Sequence, residues 1–453
     1  MALRTVYVCQ SCGHRASGWL GRCPECEAWS SLVEERIDAP RRSGKPGRAV
    51  RGRGVAAIPI EAIERDAVAR VSTGMPAVDA VLGGGIVAGG AVLLAGEPGI
   101  GKSTLLLQLA AHLARAGRRV VYVGAEESPR QLRLRAERLD ALAAGIEVIG
   151  ETALESALAV LGSNPPDALL VDSIQALRSE DLESPPGSIG QVRNAAHRLV
   201  EAAKATGTAL FLVGHVTKEG SIAGPKVLEH VVDTVLTFEG ERESDHRLLR
   251  ATKTRFGPTG ELALFEMRER GLEAIADPSG VLLARRRTGA PGSAVLPTIS
   301  GTRPLLVEVQ ALVHPTNFPS PRRMSVGLDS NRVILLIAVL ERFAGLGLGD
   351  RDVFLNVVGG LALKEPAADL AVAAALISAY RGVVLPPEAV FFGEIGLLGE
   401  VRPVGGIDAR LREAAAHGFR RAFLPSSSAS SKRAGLERFE VATVEDLAER
   451  IGS

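Results

Sequence analysis

Gly96-Glu97-Pro98-Gly99-Ile100-Gly101-Lys102-Ser103-Thr104 fills the pattern G-x-x-x-x-G-K-[ST], the spacing of a phosphate-binding loop. The chemistry needs these residue types. Glycines let consecutive backbone N–H groups turn toward a phosphate, Lys102 reaches the β- and γ-oxygens, and the Ser103 hydroxyl is placed to ligate Mg2+. The flanks supply the context that separates such loops from chance matches. Ala91–Ala95 is a short apolar run of buried-strand type, and Leu105–Leu113 continues at helical spacing. The nonamer therefore predicts nucleotide hydrolysis as reaction class, a property that ATPases share with kinases, GTPases and transporters.

At 453 residues the chain has room for two to four domains with cores, and 46% hydrophobic with 23% charged residues is ordinary for a soluble globular protein. A net charge of +1 gives no global field, so any nucleic-acid contact must come from local basic patches. No apolar run approaches a membrane span, and Met1-Ala2-Leu3-Arg4-Thr5-Val6-Tyr7-Val8 has no signal-peptide core. The expectation is a cytoplasmic protein with no membrane partner.

All four cysteines fall within the first 26 residues as Cys9-x2-Cys12 and Cys23-x2-Cys26, two knuckles that can close on one ion. Tetrahedral thiolate coordination suits structural Zn2+, whose binding would supply the folding energy that so short a segment lacks. Four thiolates complete the shell, so His14 reads as a polar loop residue. Next, Arg36 to Arg53 carries Arg36, Arg41, Arg42, Lys45, Arg48, Arg51 and Arg53 against Asp38 alone, amid Gly and Pro. It reads as a disordered linker, either simply solvated or holding phosphates without sequence preference.

From about Ile58 to Ala276, apolar strands alternate with amphipathic helices. Ala91–Ala95, Arg119–Gly124, Ala168–Asp172, Ala209–Gly214 and Thr234–Phe238 are the strand candidates, and the alternation predicts a parallel, helix-covered sheet. Two β-rich runs, His246–Thr254 and Glu261–Arg268, follow across a hairpin turn at Phe256–Gly260. Beyond Arg285, strands at Leu305–Val313 and Phe354–Val358 mix with helices at Asn331–Phe343, Ala367–Tyr380 and Ala409–His417, predicting a second core.

Asp172 ends the apolar strand Pro166–Asp172, where a Walker-B aspartate holds Mg2+. The strand Arg119–Gly124 runs into Glu126 and Glu127, and strand carboxyl ends are where ligands sit in such sheets. Glu126 is the candidate to orient the attacking water; Glu127 is equally placed to begin the helix after Ser128-Pro129. The strand Ala209–Gly214 delivers His215 to the same edge, as a γ-phosphate sensor or as a plain surface residue.

Taken together, the four-cysteine start, the phosphate loop, Gly124-Ala125-Glu126-Glu127-Ser128, Val171-Asp172-Ser173-Ile174-Gln175, Gly214-His215-Val216-Thr217-Lys218-Glu219-Gly220 and Lys253-Thr254-Arg255-Phe256-Gly257 resemble the bacterial RadA (Sms) family. The resemblance covers essentially the whole chain. It implies an α/β fold: a zinc finger over 1–33, a basic flexible linker over 34–57, a RecA-like ATPase core with a parallel sheet over 58–280, and an α+β Lon-protease-like domain over 285–453. Thr254 stands where the family usually has Asn. The family links this motif to DNA-dependent motor function and to communication between subunits of a ring. Lys253 and Arg255, i and i+2 on a strand end, would reach a neighbour's triphosphate or a DNA phosphate. Lys218 and Lys226 flank the polar, Gly-rich loop that lines the DNA-binding centre of RecA-like motors, and no aromatic interleaves them, so binding would be backbone-directed.

The C-terminal stretch resembles a Lon protease domain in Gly301-Thr302-Arg303-Pro304, Leu363–Leu370 and Phe392–Gly406. A Ser–Lys dyad needs a nucleophilic hydroxyl and a lysine. Ala367 and Asp408 occupy those two positions, so the domain reads as a proteolytically inactive scaffold, with Lys364 as a surface or DNA contact. The resulting expectation is a DNA-dependent ATPase of recombinational repair. It would bind single-stranded and branched DNA, promote branch migration as a hexameric ring, and partner the recombinase RecA, with ATP, Mg2+ and Zn2+ as cofactors. A RecA-fold regulatory switch that binds protein partners, and a Lon-type peptidase, are the alternatives.

Overall fold

The computed structural model describes residues 3–9, 14–25, 27, 29, 31–38, 59, 70–182, 184–215, 226–240, 245–316, 318, 320–426 and 435–452. The chain divides into two compact units, Met1–Ala274 and Ile275–Ser453.

The first unit is organised by a nine-stranded sheet. From one edge its order is Gly271–Ala274, Leu262–Arg268, His246–Thr254, Thr234–Glu239, Ala91–Gly96, Ala209–His215, Ala168–Asp172, Val120–Gly124 and Ile146–Ile149. The six strands from Thr234–Glu239 onward are parallel, and the three before them add an antiparallel meander. Near-continuous apolar sequence is what a strand buried on both faces requires, and Ala91–Gly96, Val120–Gly124 and Ala168–Asp172 are buried at every position. Alternate side chains feed two cores. Val92, Leu94, Tyr122, Leu170 and Phe211 meet the helix Lys102–Arg115 on one face, while Leu93, Val121, Val123, Leu169 and Leu212 meet the helix Ile189–Thr206 on the other.

The helices start where local chemistry allows. Ser188 accepts from the Gln191 N–H ahead of Ile189–Thr206, and Gly207 closes that helix at φ +73°. Ser128 and Gln131 form a capping box, with Pro129 in the first turn of Pro129–Arg138.

A three-stranded antiparallel ribbon opens the chain, with Leu3–Cys9 central between Arg15–Ala16 and Leu32–Asp38. Leu3 pairs with Asp38, so the ladder runs five residues into the stretch expected to be linker; backbone pairing overrides a polar composition there. Residues 39–57 of that linker lie outside the described residues.

The second unit carries a seven-stranded sheet in the order Arg323–Val326, Arg351–Val357, Arg303–Pro315, Ser293–Ser300, Ala389–Phe391, Arg421–Pro425, Glu437–Val441, covered by Ser330–Phe343, Ala368–Arg381 and Ile407–Ala416. It begins ten residues earlier than the sequence suggested. The short helix Pro278–Leu283 belongs to it because buried Ser279 accepts from the Leu306 N–H at 3.0 Å and donates to Glu413 at 2.5 Å. Phe391, Phe423 and Phe439 stack across three neighbouring parallel strands of this sheet at centroid distances of 4.7 and 4.8 Å. Phe423→Ala is expected to destabilise this unit by about 3 kcal/mol, read from denaturant-dependent hydrogen exchange of the Arg421–Pro425 strand.

Candidate active site

Two positions of the phosphate loop admit only glycine. Gly101 precedes the helix at φ +115°, and a Cβ there would lie 2.8 Å from Met267 Cε; at Gly96 a Cβ would stand 2.6 Å from the Phe238 carbonyl oxygen. The Lys102 ammonium is buried and donates to the carbonyls of Gly96 and Glu97, both at 2.8 Å. Burial lowers its pKa to about 8 against the opposing pull of Asp172, Glu126 and Glu97. Arg247 reaches in from the strand His246–Thr254 and donates to the Ile100 carbonyl at 3.1 Å, a support that the motif itself does not announce.

Strand register brings the acids to this loop. His215 lies level with Gly96, and Asp172 level with Gly124. Asp172 Oδ2 accepts from the Tyr122 hydroxyl at 2.7 Å, whereas Oδ1, equally buried, has no hydrogen-bond partner among the described residues. An orphaned carboxylate oxygen near Lys102, with the Ser103 hydroxyl next along the helix, fits Mg2+, which takes hard oxygen donors.

The two neighbouring glutamates part ways here. Glu127 is paired with Arg135 of the helix that follows it. Glu126 Oε1 lies 3.0 Å from His215 Nε2 and accepts from the Ser173 hydroxyl. The bond to His215, then that to Ser173 and the charge of Lys102, hold its pKa down at about 2 despite partial burial. His215 Nδ1 is buried and unpaired among the described residues.

Lys253 and Arg255 sit at the far end of the sheet. The Arg255 N–H donates to the Asp233 carbonyl at 3.1 Å, and the Asp233 N–H donates to that of Ala91 at 3.0 Å. Arg255 is thus level with Ala91, about 16 Å from Gly96 along the strand. Its guanidinium pairs with Asp233 Oδ1 at 3.4 Å; the same buried carboxylate takes Lys204 at 3.2 Å and the Ala91 N–H at 3.0 Å. The Lys253 ammonium donates to the carbonyls of Val232, at 2.8 Å, and Glu229, and burial and the Arg255 charge lower its pKa. The rest of the motif is anchorage. Gly90 leaves room for the Phe256 ring, 3.5 Å from where a Cβ would stand, and Gly257 packs on Gly83. Thr254 Oγ1 accepts from the Phe256 N–H at 3.1 Å, a bond within reach of an asparagine at that position.

Cys9 and Cys23, one from each knuckle, are buried together against Leu32, as a single ion shared by both pairs requires. Cys12, Cys26, Lys218 and the side chain of Lys226 lie outside the described residues. In the second unit, buried Ala367 precedes the helix Ala368–Arg381, and Asp408 lies in the first turn of Ile407–Ala416. Two residues from each, Glu365 and Arg410 form an ion pair at 2.6 Å. Lys364 lines a cavity of about 650 Å3 with Arg332, Asp369 and Glu394.

Phosphate loop and strand-end acids converge on one edge of the nine-stranded sheet, and the first unit is therefore a P-loop ATPase. Family models for an AAA domain, a rubredoxin metal-binding domain and the ChlI subunit of Mg-chelatase match residues 59–221, 7–34 and 325–428. A DNA repair protein RadA of Halalkalibacterium halodurans is 46% identical over 98% of both chains; those of Bacillus subtilis and Pseudomonas aeruginosa are also 46% identical, over 97% and 98% of this chain and 97% of their own. The chain belongs to the RadA family of DNA repair proteins. Among solved structures, a KaiC-like protein from Pyrococcus horikoshii OT3 is similar over 46% of this chain and all of its own, at 22% identity and TM-score 0.39. No helix among the described residues is long and apolar enough to cross a membrane.

Sequence reading missed Tyr122, Ser173, Arg247 and Asp233. Only Ser173, adjacent to Asp172, and Tyr122, a lone hydroxyl in an apolar run, carried a visible signal. Because bound phosphates favour charged Lys102, the nucleotide complex takes up a proton above pH 8. Fluorescent-nucleotide titration should show affinity level from pH 6.5 to about 7.5, then falling above 8 toward about tenfold per pH unit, and no such fall in Lys102→Arg.

Proposed function

We propose that this ATPase is a DNA motor of recombinational repair, which binds single-stranded and branched DNA, drives branch migration as a hexameric ring, and works in the cytoplasm with the recombinase RecA. The observation that carries the proposal is the separation of Lys253 and Arg255 from their own phosphate loop. Two cations whose backbone lies about 10 Å (Lys253) and about 16 Å (Arg255) along the strand from Gly96 of their own chain serve a different nucleotide, so ATP sits at a subunit interface.

Within one chain, Lys102 and the loop amides bind the β- and γ-phosphates. Ser103 and Asp172 hold Mg2+, which when bound neutralises charge between those phosphates. Glu126 stays ionised at any working pH, which suits it to orient the attacking water rather than keep its proton. His215, bonded to Glu126 and last before residues 216–225, senses the γ-phosphate and passes the change to the DNA-binding segment with Lys218 and Lys226. Lys253 and Arg255 of a neighbouring chain stabilise charge on the transferred phosphoryl group. Cys9, Cys12, Cys23 and Cys26 hold a structural Zn2+.

The test is ATP hydrolysis with and without single-stranded DNA. The unaltered protein should be stimulated several-fold, Lys102→Ala inactive, and Arg255→Ala slowed by about a hundredfold or more with little change in KM. Absence of DNA stimulation favours a switch that binds protein partners and sinks the motor.

A further inference from the structure

We propose that Tyr122 is a positioning residue for the magnesium ion of this ATPase, fixing the Asp172 carboxylate so that its second oxygen is presented to the metal. The inference rests on Asp172 being a metal ligand, as set out above.

Tyr122 is the middle residue of Val120–Gly124, a strand buried at every position, and is itself 0% exposed. Burying a phenol hydroxyl is unfavourable unless it finds a partner, and phenylalanine would fill the same space with no polar group to satisfy. The partner here is Asp172. Register sets Tyr122 opposite Leu170, two residues before Asp172 on the same sheet face, an offset of about 6.6 Å along the strands. The ring spans that offset by running past Gly124, where a Cβ would stand 4.0 Å from Tyr122 Cε1. Its hydroxyl then donates to Asp172 Oδ2 at 2.7 Å.

Oδ1 is left buried and without a hydrogen-bond partner among the described residues. A carboxylate with one oxygen engaged and the other open has a single orientation, and that orientation is fixed before any metal arrives. Partners of this kind typically change metal affinity by about tenfold to a hundredfold when removed, without touching the metal. The same sheet face carries Lys102 and Ser103 on the helix Lys102–Arg115, so the open oxygen belongs to the nucleotide side of the sheet.

The experiment is binding of a fluorescent ADP as Mg2+ is titrated, with EDTA as the metal-free reference, for the unaltered protein, Tyr122→Phe and Asp172→Asn. Tyr122→Phe should need about tenfold to a hundredfold more Mg2+ to reach half-effect, keep its metal-free nucleotide affinity, and recover ATP hydrolysis at saturating Mg2+. Asp172→Asn should shift the Mg2+ midpoint further. A shift in Asp172→Asn with none in Tyr122→Phe overturns the role of Tyr122. No shift in either variant removes Asp172 as a ligand and the proposal with it. Loss of metal-free binding in Tyr122→Phe would make the hydroxyl merely structural, which also overturns it.

Discussion

The site depends on how the parallel strands align at their carboxyl ends. Gly96 level with His215, and Gly124 level with Asp172, bring a phosphate loop, a metal-ready carboxylate and Glu126 to one edge. Side chains alternate between faces, so a one-residue slip of Ala168–Asp172 would turn Asp172 away from Lys102 and Tyr122. The two cores resist that slip. Leu170 packs on the face of the phosphate-loop helix while Leu169 and Val171 pack on the other, and each would land in the wrong layer.

The edge so formed is unfinished chemistry. Lys102 is buried beside carbonyls and acids that only partly offset its desolvation, and among the described residues Asp172 has an oxygen without a hydrogen-bond partner. Triphosphate and metal together would complete both. At the opposite end of the strand Ala91–Gly96, Asp233 ties the Ala91 N–H, Lys204 and Arg255 to one buried carboxylate. One short strand thus carries the nucleotide loop at its carboxyl end and the arginine clamp at its amino end.

The buried strands were legible because a strand covered on both faces must be apolar throughout; Ala168–Asp172 falls where its composition placed it. Ile146–Ile149 escaped notice as a partly exposed edge strand with Glu147 inside it, and Gly271–Ala274 as a four-residue edge begun by glycine. Motif spacing singled out Lys102, Ser103 and Asp172 as candidates, since the loop and the strand end fix them locally. It could not separate Glu126 from Glu127, which only the partners Ser173, His215 and Arg135 distinguish. Nor could it show Asp233 or Arg247, whose roles arise from strands far away in sequence.

The decisive measurement is ATP hydrolysis by assemblies made from two crippled chains, Lys102→Ala and Arg255→Ala, each inactive or slow alone. One retains the cations and the other retains the phosphate loop. If Arg255 serves a neighbour's nucleotide, co-assembly should restore hydrolysis to a substantial fraction of the unaltered rate, greatest near equal proportions. Mixtures no more active than the weighted sum of the separate chains would contradict action between subunits.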